Sequence, residues 1–281
     1  MENIFDLSII IPTCNRNDFL ERAVNSILYQ IEDVNYVIEV IIVDDSFDFS
    51  SKFLIEKFAK YSSVRFVKNI SSRNNAASTR NFGVSVSRAK YIMFLDDDDM
   101  YLPGRIEGML KFAYQNSQYS LISSCRFYES NNFTSIYVDQ VQKHGVISID
   151  DILYNNIIDI GFLISRELFI ELGGFDDSLS SLEDWDFLLR ALYLNDAYKL
   201  PRYDYLVNID INRERVSTGQ WKSRVEIARK YKNTFCRKWY FSILSSGLGA
   251  RKELRFYDAL AFTFKARSLA PIKNYLKMVI R

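Results

Sequence analysis

Short apolar runs alternate with amphipathic stretches through the first third of the chain, and each run ends on polar or acidic residues. Leu7-Ser8-Ile9-Ile10-Ile11-Pro12 predicts a strand stopped by proline, which lacks the N–H that a central ladder uses. Asp18 with Glu21 has the capping-box pattern, and Phe19, Ala23 and Ile27 recur at helical spacing beside Leu20, Val24 and Leu28. Val37 to Val43 predicts a second strand running into Asp44-Asp45-Ser46. A helix over about Ser51 to Tyr61, a strand over Val64 to Val67 and a helix from Asn74 to about Ser87 follow. Tyr91-Ile92-Met93-Phe94-Leu95 is wholly apolar, the signature of a strand buried on both faces, and Asp96-Asp97-Asp98-Asp99 comes directly after it. Strand and helix in this alternation predict an α/β fold: a doubly wound, mostly parallel sheet with flanking helices.

The pattern loosens after a helix over Pro103 to about Tyr114. Ser120 to Tyr128 and Thr134 to Val138 read as strands paired in a hairpin, and Ile160 to Ile164 as a further strand. Arg166 to Leu172 reads as a short helix closed by Gly173-Gly174. Glu183-Asp184-Trp185-Asp186 opens another helix, with Phe187, Leu188, Ala191 and Leu192 on its apolar side. From Gly219 onward the chain reads as aromatic, basic helices. The expected division is therefore a catalytic-type domain over 1–218 and a helical extension over 219–281.

Right-handed crossovers would bring Thr13, Asp44-Asp45 and Asp96 to Asp99 to one edge of the sheet. Ligands of open α/β sheets bind in the crevice beyond that edge. Four adjacent carboxylates raise one another's pKa unless a cation sits among them. Mg2+ or Mn2+, held by one or two of them and a substrate phosphate, meets that need. There is no glycine-rich phosphate loop, so phosphates must be met by metal and basic side chains, with Arg80 the nearest. Acids at Glu183, Asp184 and Asp186 also suit a helix N-terminus, whose dipole favours negative charge.

Composition narrows the chemistry. The 281 residues are 48% hydrophobic and 25% charged, which suits a globular protein with ample core. Cys14, Cys125 and Cys236 are far apart and odd in number, which indicates neither a disulfide framework nor a zinc site and suggests a reducing compartment. The single histidine, His144, lies in a polar turn, so acid–base work falls to carboxylates. Met1 to Asp6 carries acid rather than base, so no secretory leader is expected and the expected location is cytoplasmic. The uncharged stretch Trp239 to Ala250 is shorter than the roughly 18 residues of a membrane span. Net charge is +1, yet residues 219–281 hold 15 basic and 3 acidic groups. Trp221, Trp239 and Tyr240 with Arg237, Lys238, Arg251 and Lys252 suggest a helix lying on an anionic membrane surface. Nucleic acid is not expected, since no binding module accompanies the charge.

Six segments, in order, carry a family resemblance: Ile9-Ile10-Ile11-Pro12-Thr13-Cys14-Asn15-Arg16, Ile42-Val43-Asp44-Asp45-Ser46, Thr79-Arg80-Asn81, Phe94-Leu95-Asp96-Asp97-Asp98-Asp99, Gly173-Gly174-Phe175-Asp176 and Glu183-Asp184-Trp185-Asp186. Over about Leu7 to Leu192 the chain resembles the inverting glycosyltransferases of family 2, which have the nucleotide-sugar-binding GT-A fold. The resemblance implies that Thr13 and one or both of Asp44 and Asp45 line the base and ribose pocket, with Pro12 and Asn15 also binding the donor. Arg80 would approach the nucleotide or its diphosphate, with Asp96 and Asp97 beside the donor. Asp96 and Asp98 match the metal-binding D-x-D pattern, Asp98 as the direct ligand of Mn2+ or Mg2+. Glu183 and Asp184 match the segment that supplies the catalytic base, Asp184 foremost. The implied donor is a nucleoside-diphosphate sugar, UDP ahead of GDP or dTDP. The implied acceptor is a glycan or lipid-linked hydroxyl in bacterial surface polysaccharide or lipopolysaccharide assembly. One departure is visible: many relatives carry Arg-x-His-x-x-Ser after this helix, and here Arg215 of Arg213-Glu214-Arg215-Val216-Ser217 stands in the histidine's place.

Two other readings remain. A nucleotidyltransferase of related fold usually needs a glycine-rich loop, and Pro12-Thr13-Cys14-Asn15 has no glycine. A non-catalytic membrane-associated scaffold with a degenerate sugar-nucleotide pocket fits poorly with intact Asp96, Asp98, Glu183 and Asp184.

Overall fold

A computed structural model of the chain describes residues 5–280 except 33, 131–132, 139–141 and 210–219. In chain order the first elements are β1 (Phe5–Thr13), α1 (Asn17–Ile31), β2 (Ile38–Asp44), a 3-10 turn (Ser50–Leu54) running into α2 (Ile55–Phe58), β3 (Val64–Lys68), α3 (Ala76–Val86) and β4 (Ala89–Phe94). There follow β5 (Met100–Tyr101), α4 (Arg105–Gln115), β6 (Ile122–Ser130), β7 (Ser135–Tyr137), β8 (Gly145–Ile147), α5 (Ile149–Ile152), β9 (Leu163–Ser165) and α6 (Arg166–Glu171). The last are α7 (Glu183–Leu194), β10 (Ala197–Asn208), α8 (Gln220–Lys230), α9 (Arg237–Ala250), α10 (Phe256–Ala266) and α11 (Ala270–Ile280).

Among the described residues ten strands form one sheet in the order β3-β2-β1-β4-β9-β6-β10-β5, with β7 on β6 and β8 on β10. The long ladders, β1 with β2 and β4, β2 with β3 and β6 with β10, are parallel; the short ones are antiparallel. The chain steps outward from β1 to β2 to β3, then crosses back so that β4 lies on the other flank of β1. The strand order therefore reverses between β1 and β4, the position at which doubly wound sheets bind ligands.

The core follows the apolar runs. Every residue of β2 is buried, and Ile9, Ile10, Ile11, Ile92, Met93 and Phe94 are inaccessible. Phe94 is ringed by Phe162, Phe169 and Phe175, so a rigid aromatic cluster underlies the end of β4. Gly83 lets α3 lie close on β1: a Cβ there would stand 2.5 Å from Ile10 Cγ2.

Several expectations change. Pro12 does not stop β1, which continues to Thr13 with Pro12 opposite Val43. Ile10 presents its carbonyl to Leu95 on the β4 side, and Pro12, two residues on, faces the same way. The β4 ladder has ended by then, so the missing N–H has no partner to lose. The N-cap of α1 is Arg16, with no side-chain cap; Glu21 instead pairs with Lys57. The helix expected over Ser51 to Tyr61 is only a 3-10 turn and a single α-turn. The strand expected at Ile160 to Ile164 is shorter and shifted, Leu163–Ser165, while the hairpin forms with Tyr128 opposite Tyr137.

The chain separates into two compact units, one of Met1–Ile152, Asn156–Asp177 and Phe187–Arg213, the other of Leu153–Asn155, Ser178–Asp186 and Glu214–Arg281. Within the second, α8 packs on α9, and α10 and α11 pack on each other and on α9. Trp239 is fully buried there, with its Nε1 donating to Leu153 O (2.5 Å). Arg251 covers Trp221 with its guanidinium 4.3 Å from the ring centre. Trp239 therefore serves packing rather than a membrane-facing surface, while Trp221 is half-exposed with Arg251 on its ring. No helix among the described residues is long and apolar enough to cross a membrane.

Candidate active site

The expected rim forms. Thr13 at the end of β1 lies opposite Asp44 at the end of β2, and Asp45 N donates to Thr13 O (2.8 Å). Asp96 to Asp99 leave β4 on the other flank, in a turn closed by Asp99 N to Asp96 O (3.0 Å). Asn15, exposed and with φ of 58°, makes the left-handed corner between β1 and α1, a conformation asparagine tolerates better than most residues. Pro12 beside it is half-buried.

The four aspartates divide by direction. Asp97 and Asp99 turn inward. Asp97, with 5% of its side chain exposed, accepts from Thr13 Oγ1 (2.8 Å) and Arg16 Nη1 (2.9 Å). Burial lifts its pKa to about 6, because the lowering effect of Arg16 only partly offsets desolvation and the neighbouring carboxylates. Asp99 accepts from Tyr205 Oη (2.6 Å) and Asn208 N (2.9 Å), and burial pushes its pKa well above the ordinary range. Asp96 and Asp98 turn outward, with 35% and 22% of their side chains exposed. Each carries a guanidinium: Arg80 Nη2 at 2.5 Å from Asp96, and Arg16 Nη1 at 3.3 Å from Asp98. Arg22 also donates to the main-chain oxygen of Asp98 (2.7 Å).

The acids at the end of β2 divide likewise. The Asp44 carboxylate is buried and accepts from Ser46 N (2.7 Å), Ser46 Oγ (2.5 Å) and Ser51 N (2.7 Å). Burial would raise its pKa, but these hydrogen bonds outweigh burial and hold it below the usual value. Asp44 is thus spent on shaping its own loop. Asp45 is half-exposed; burial raises its pKa, and Asn69 Nδ2 donates to it at 2.6 Å.

The Thr79-Arg80-Asn81 motif on α3 does three separate things. Thr79 Oγ1 accepts from Asn69 (3.2 Å), Arg80 meets Asp96, and Asn81 exchanges two hydrogen bonds with Phe175 N and O. The last pair needs Gly174, which has φ of 68° and would place a Cβ 2.7 Å from Asn81 Oδ1. The helix starts firmly: Asn75 caps Ser78 N, and Ser78 Oγ returns the bond.

In the second unit, the first turn of α7 also divides. Trp185 is buried, and buried Asp186 accepts from Tyr231 Oη (2.9 Å) and pairs with Lys230 (2.8 Å). Glu183 and Asp184 are half-buried. Leu182 just before them holds φ of 61°, an uncommon state for a branched side chain and the sort of local strain that gathers at functional sites.

Arg16 and Asn69 are rim residues that the sequence reading left without a role. Arg16 stands in the first motif, and Asn69 directly follows β3, so each sits at the same sheet edge as the acids. Arg215 and its segment lie outside the described residues. Among the described residues no cluster of three or more His, Cys, Asp or Glu is arranged to hold a metal ion. Two outward carboxylates remain a fitting donor set for a hard cation that takes its other oxygens from phosphate and water. A cavity of about 330 Å³ beside α1, lined by Glu21, Arg22, Tyr29 and Met100 among others, contains none of the expected site residues.

The doubly wound sheet, with its acidic edge at the switch point, has the GT-A fold. The family model "Glycosyl transferase family 2" matches residues 8–173, and the chain belongs to that family. An uncharacterized glycosyltransferase of Haemophilus influenzae is 35% identical over 190 residues, 66% of this chain and 62% of that protein. A Campylobacter jejuni protein named GalNAc(5)-diNAcBac-PP-undecaprenol beta-1,3-glucosyltransferase is 21% identical over 92% of this chain and 85% of its own length. The crystal structure of S. aureus TarS 1-349 in complex with UDP-GlcNAc superposes with a TM-score of 0.67 at 18% identity, covering 97% of this chain and 79% of that one. The chain spans less than two thirds of the length of the Haemophilus protein and of a Rickettsia typhi relative, 62% and 60%.

Proposed function

We propose that this glycosyltransferase moves a hexose or related sugar, with inversion, from a nucleoside-diphosphate sugar to a hydroxyl of a glycan or lipid-linked acceptor in bacterial surface polysaccharide or lipopolysaccharide synthesis. The observation that carries the reading is the pair of outward carboxylates, Asp96 and Asp98, set beside Arg16 and Arg80 at the strand-order reversal. UDP is the first choice of nucleotide, in keeping with the S. aureus TarS complexes with UDP-GlcNAc and with UDP. The name of the Campylobacter relative favours a lipid-linked acceptor.

In this reading Pro12, Thr13, Asn15 and Asp45 line the base and ribose, with Asp44 holding their loop and Asp97 fixing Thr13 and Arg16. Asp98, with Asp96, would hold Mn2+ or Mg2+, which when bound neutralises charge on the departing diphosphate. Arg80, exchanging Asp96 for the donor, and Arg16, still held by Asp97, would meet phosphate oxygens. Asp184 accepts the proton of the attacking acceptor hydroxyl, with Glu183 beside it. The 1–218 segment carries these residues, and the 219–281 helices hold the enzyme at an anionic membrane surface on the cytoplasmic side.

The test is calorimetry of chelator-stripped protein with UDP-GlcNAc and related donors, with and without Mn2+, followed by analysis of the anomer formed on a supplied acceptor. Donor binding that strengthens with Mn2+ and a product of opposite anomeric configuration are expected. Asp184→Asn should lose roughly 10²–10⁴-fold in turnover with donor binding kept. A fully active Asp184→Asn removes the base assignment, and donor binding indifferent to Mn2+ removes the metal.

A further inference from the structure

We infer that the outward faces of α10 and α11 are the surface by which this chain lies on an anionic bilayer. The inference deepens the membrane reading above and moves it to different residues, since Trp239 is buried and half-exposed Trp221 carries Arg251 on its ring. On α10, Ala259 and Ala266 face inward and are buried. The opposite side holds Tyr257, Leu260 and Phe264, with Tyr257 82% and Phe264 85% exposed. On α11, buried Pro271 lies opposite Leu276 and Ile280, and Ile280 is 83% exposed. A helix of a water-soluble protein normally turns such residues toward its core. Here both helices turn them outward. Leu269, exposed in the turn between the helices, joins the two faces beside a cavity of about 460 Å³ lined by Thr263, Phe264, Arg267 and Ser268.

Charge selects the partner. Lys265, Arg267, Lys273 and Lys277 are exposed around this apolar surface, and Asp258 is the one acid between Phe256 and Ile280. Long basic side chains flanking an exposed apolar face can reach lipid phosphates while the apolar groups enter the acyl boundary. Two copies meeting through this face about a two-fold axis would bring lysines against lysines, so charge opposes self-association.

The experiment is co-sedimentation of the full chain with vesicles of phosphatidylcholine alone or with phosphatidylglycerol at a 7:3 ratio, at low and high salt. Strong binding to the anionic vesicles at low salt is expected. Each basic group near such a surface is worth about fivefold in partition, so Lys265→Gln/Lys273→Gln/Lys277→Gln should lose about 10²-fold. Phe264→Ser/Leu276→Ser should lose at least about tenfold through its apolar area. Tyr29→Ser, an equally exposed aromatic on α1, should bind as the unmodified chain does. All three variants should keep the thermal shift produced by UDP. Absence of binding at low salt overturns both this face and the membrane reading and leaves sugar transfer standing. Binding unchanged in both face variants overturns the face alone. A dimer in sedimentation equilibrium that Phe264→Ser/Leu276→Ser dissociates reassigns the face to self-association and overturns the proposal.

Discussion

Two clusters of charge in the sheet unit are built from the same groups and behave differently. At the rim, Arg16 and Arg80 meet Asp97, Asp98 and Asp96, and most of these side chains keep some contact with water. Beneath the other half of the sheet, Arg105 is wholly buried. It donates to Asp204 (2.7 Å), Ser124 Oγ (2.5 Å) and Gly161 O, with Asp159 at 3.8 Å. Its guanidinium also lies over the rings of Tyr101 and Tyr205, 4.7 and 4.8 Å from their centres. Lys199 is buried nearby on neutral acceptors, Ile157 O (2.7 Å) and Gln142 Oε1 (3.2 Å). A half-solvated ion pair can trade its partner for a ligand at little cost. A dry one cannot, because either ion left alone carries its full desolvation penalty. The rim is thus suited to exchange of a guanidinium for a cation or phosphate, and the interior cluster to holding β6, β10 and α4 in register.

The largest effect should come from the interior. Arg105→Leu leaves Asp159 buried without its cation and Asp204 with half-exposed Arg202 alone, 3.2 Å away, and urea unfolding should show a loss of about 3–5 kcal/mol. A loss under about 1 kcal/mol would erase the distinction between the clusters. At the rim, Asp98→Ala should change stability by less than about 1 kcal/mol, as for other half-solvated pairs. The same variant should lose the gain in UDP affinity on adding Mn2+, read by calorimetry. A stability loss as large as that of Arg105→Leu would make the rim structural instead. The smallest effect is the pH response of Lys199, whose pKa burial lowers from the ordinary 10.5. The unfolded chain then binds the proton more tightly, so stability rises as pH climbs through the folded-state value toward 10.5. Lys199→Met should remove that rise; matching curves for the two proteins above neutral pH would show that the lysine is not strained.

The rim was legible because its signals are local. β1, β2 and β4 are apolar runs of strand length, and Thr13, Asp44, Asp45 and Asp96 to Asp99 sit at their ends, so periodicity and right-handed crossover suffice to align them. β10 was not legible. Lys199, Pro201, Arg202 and Asp204 break any alternation, and the strand survives them by two means. A register shift between Leu200 and Tyr203 takes up Pro201, and Arg105, far off in sequence, meets Asp204. Trp239 misled for a related reason, since an aromatic beside basic residues looks like a surface anchor until the helices that cover it are in place.

Sequence alone determined the parallel α/β sheet, its acidic edge and the family, because these rest on short-range periodicity and on motifs whose order survives without coordinates. The folded chain decided which acids face out. Asp96 and Asp98 stay partly exposed, each on an arginine, while Asp97 and Asp99 are buried on Thr13, Arg16, Tyr205 and Asn208. Four identical side chains in a row carry no record of that difference; partners brought in by distant strands create it by enclosing two carboxylates and leaving the other two partly exposed on their guanidinium partners.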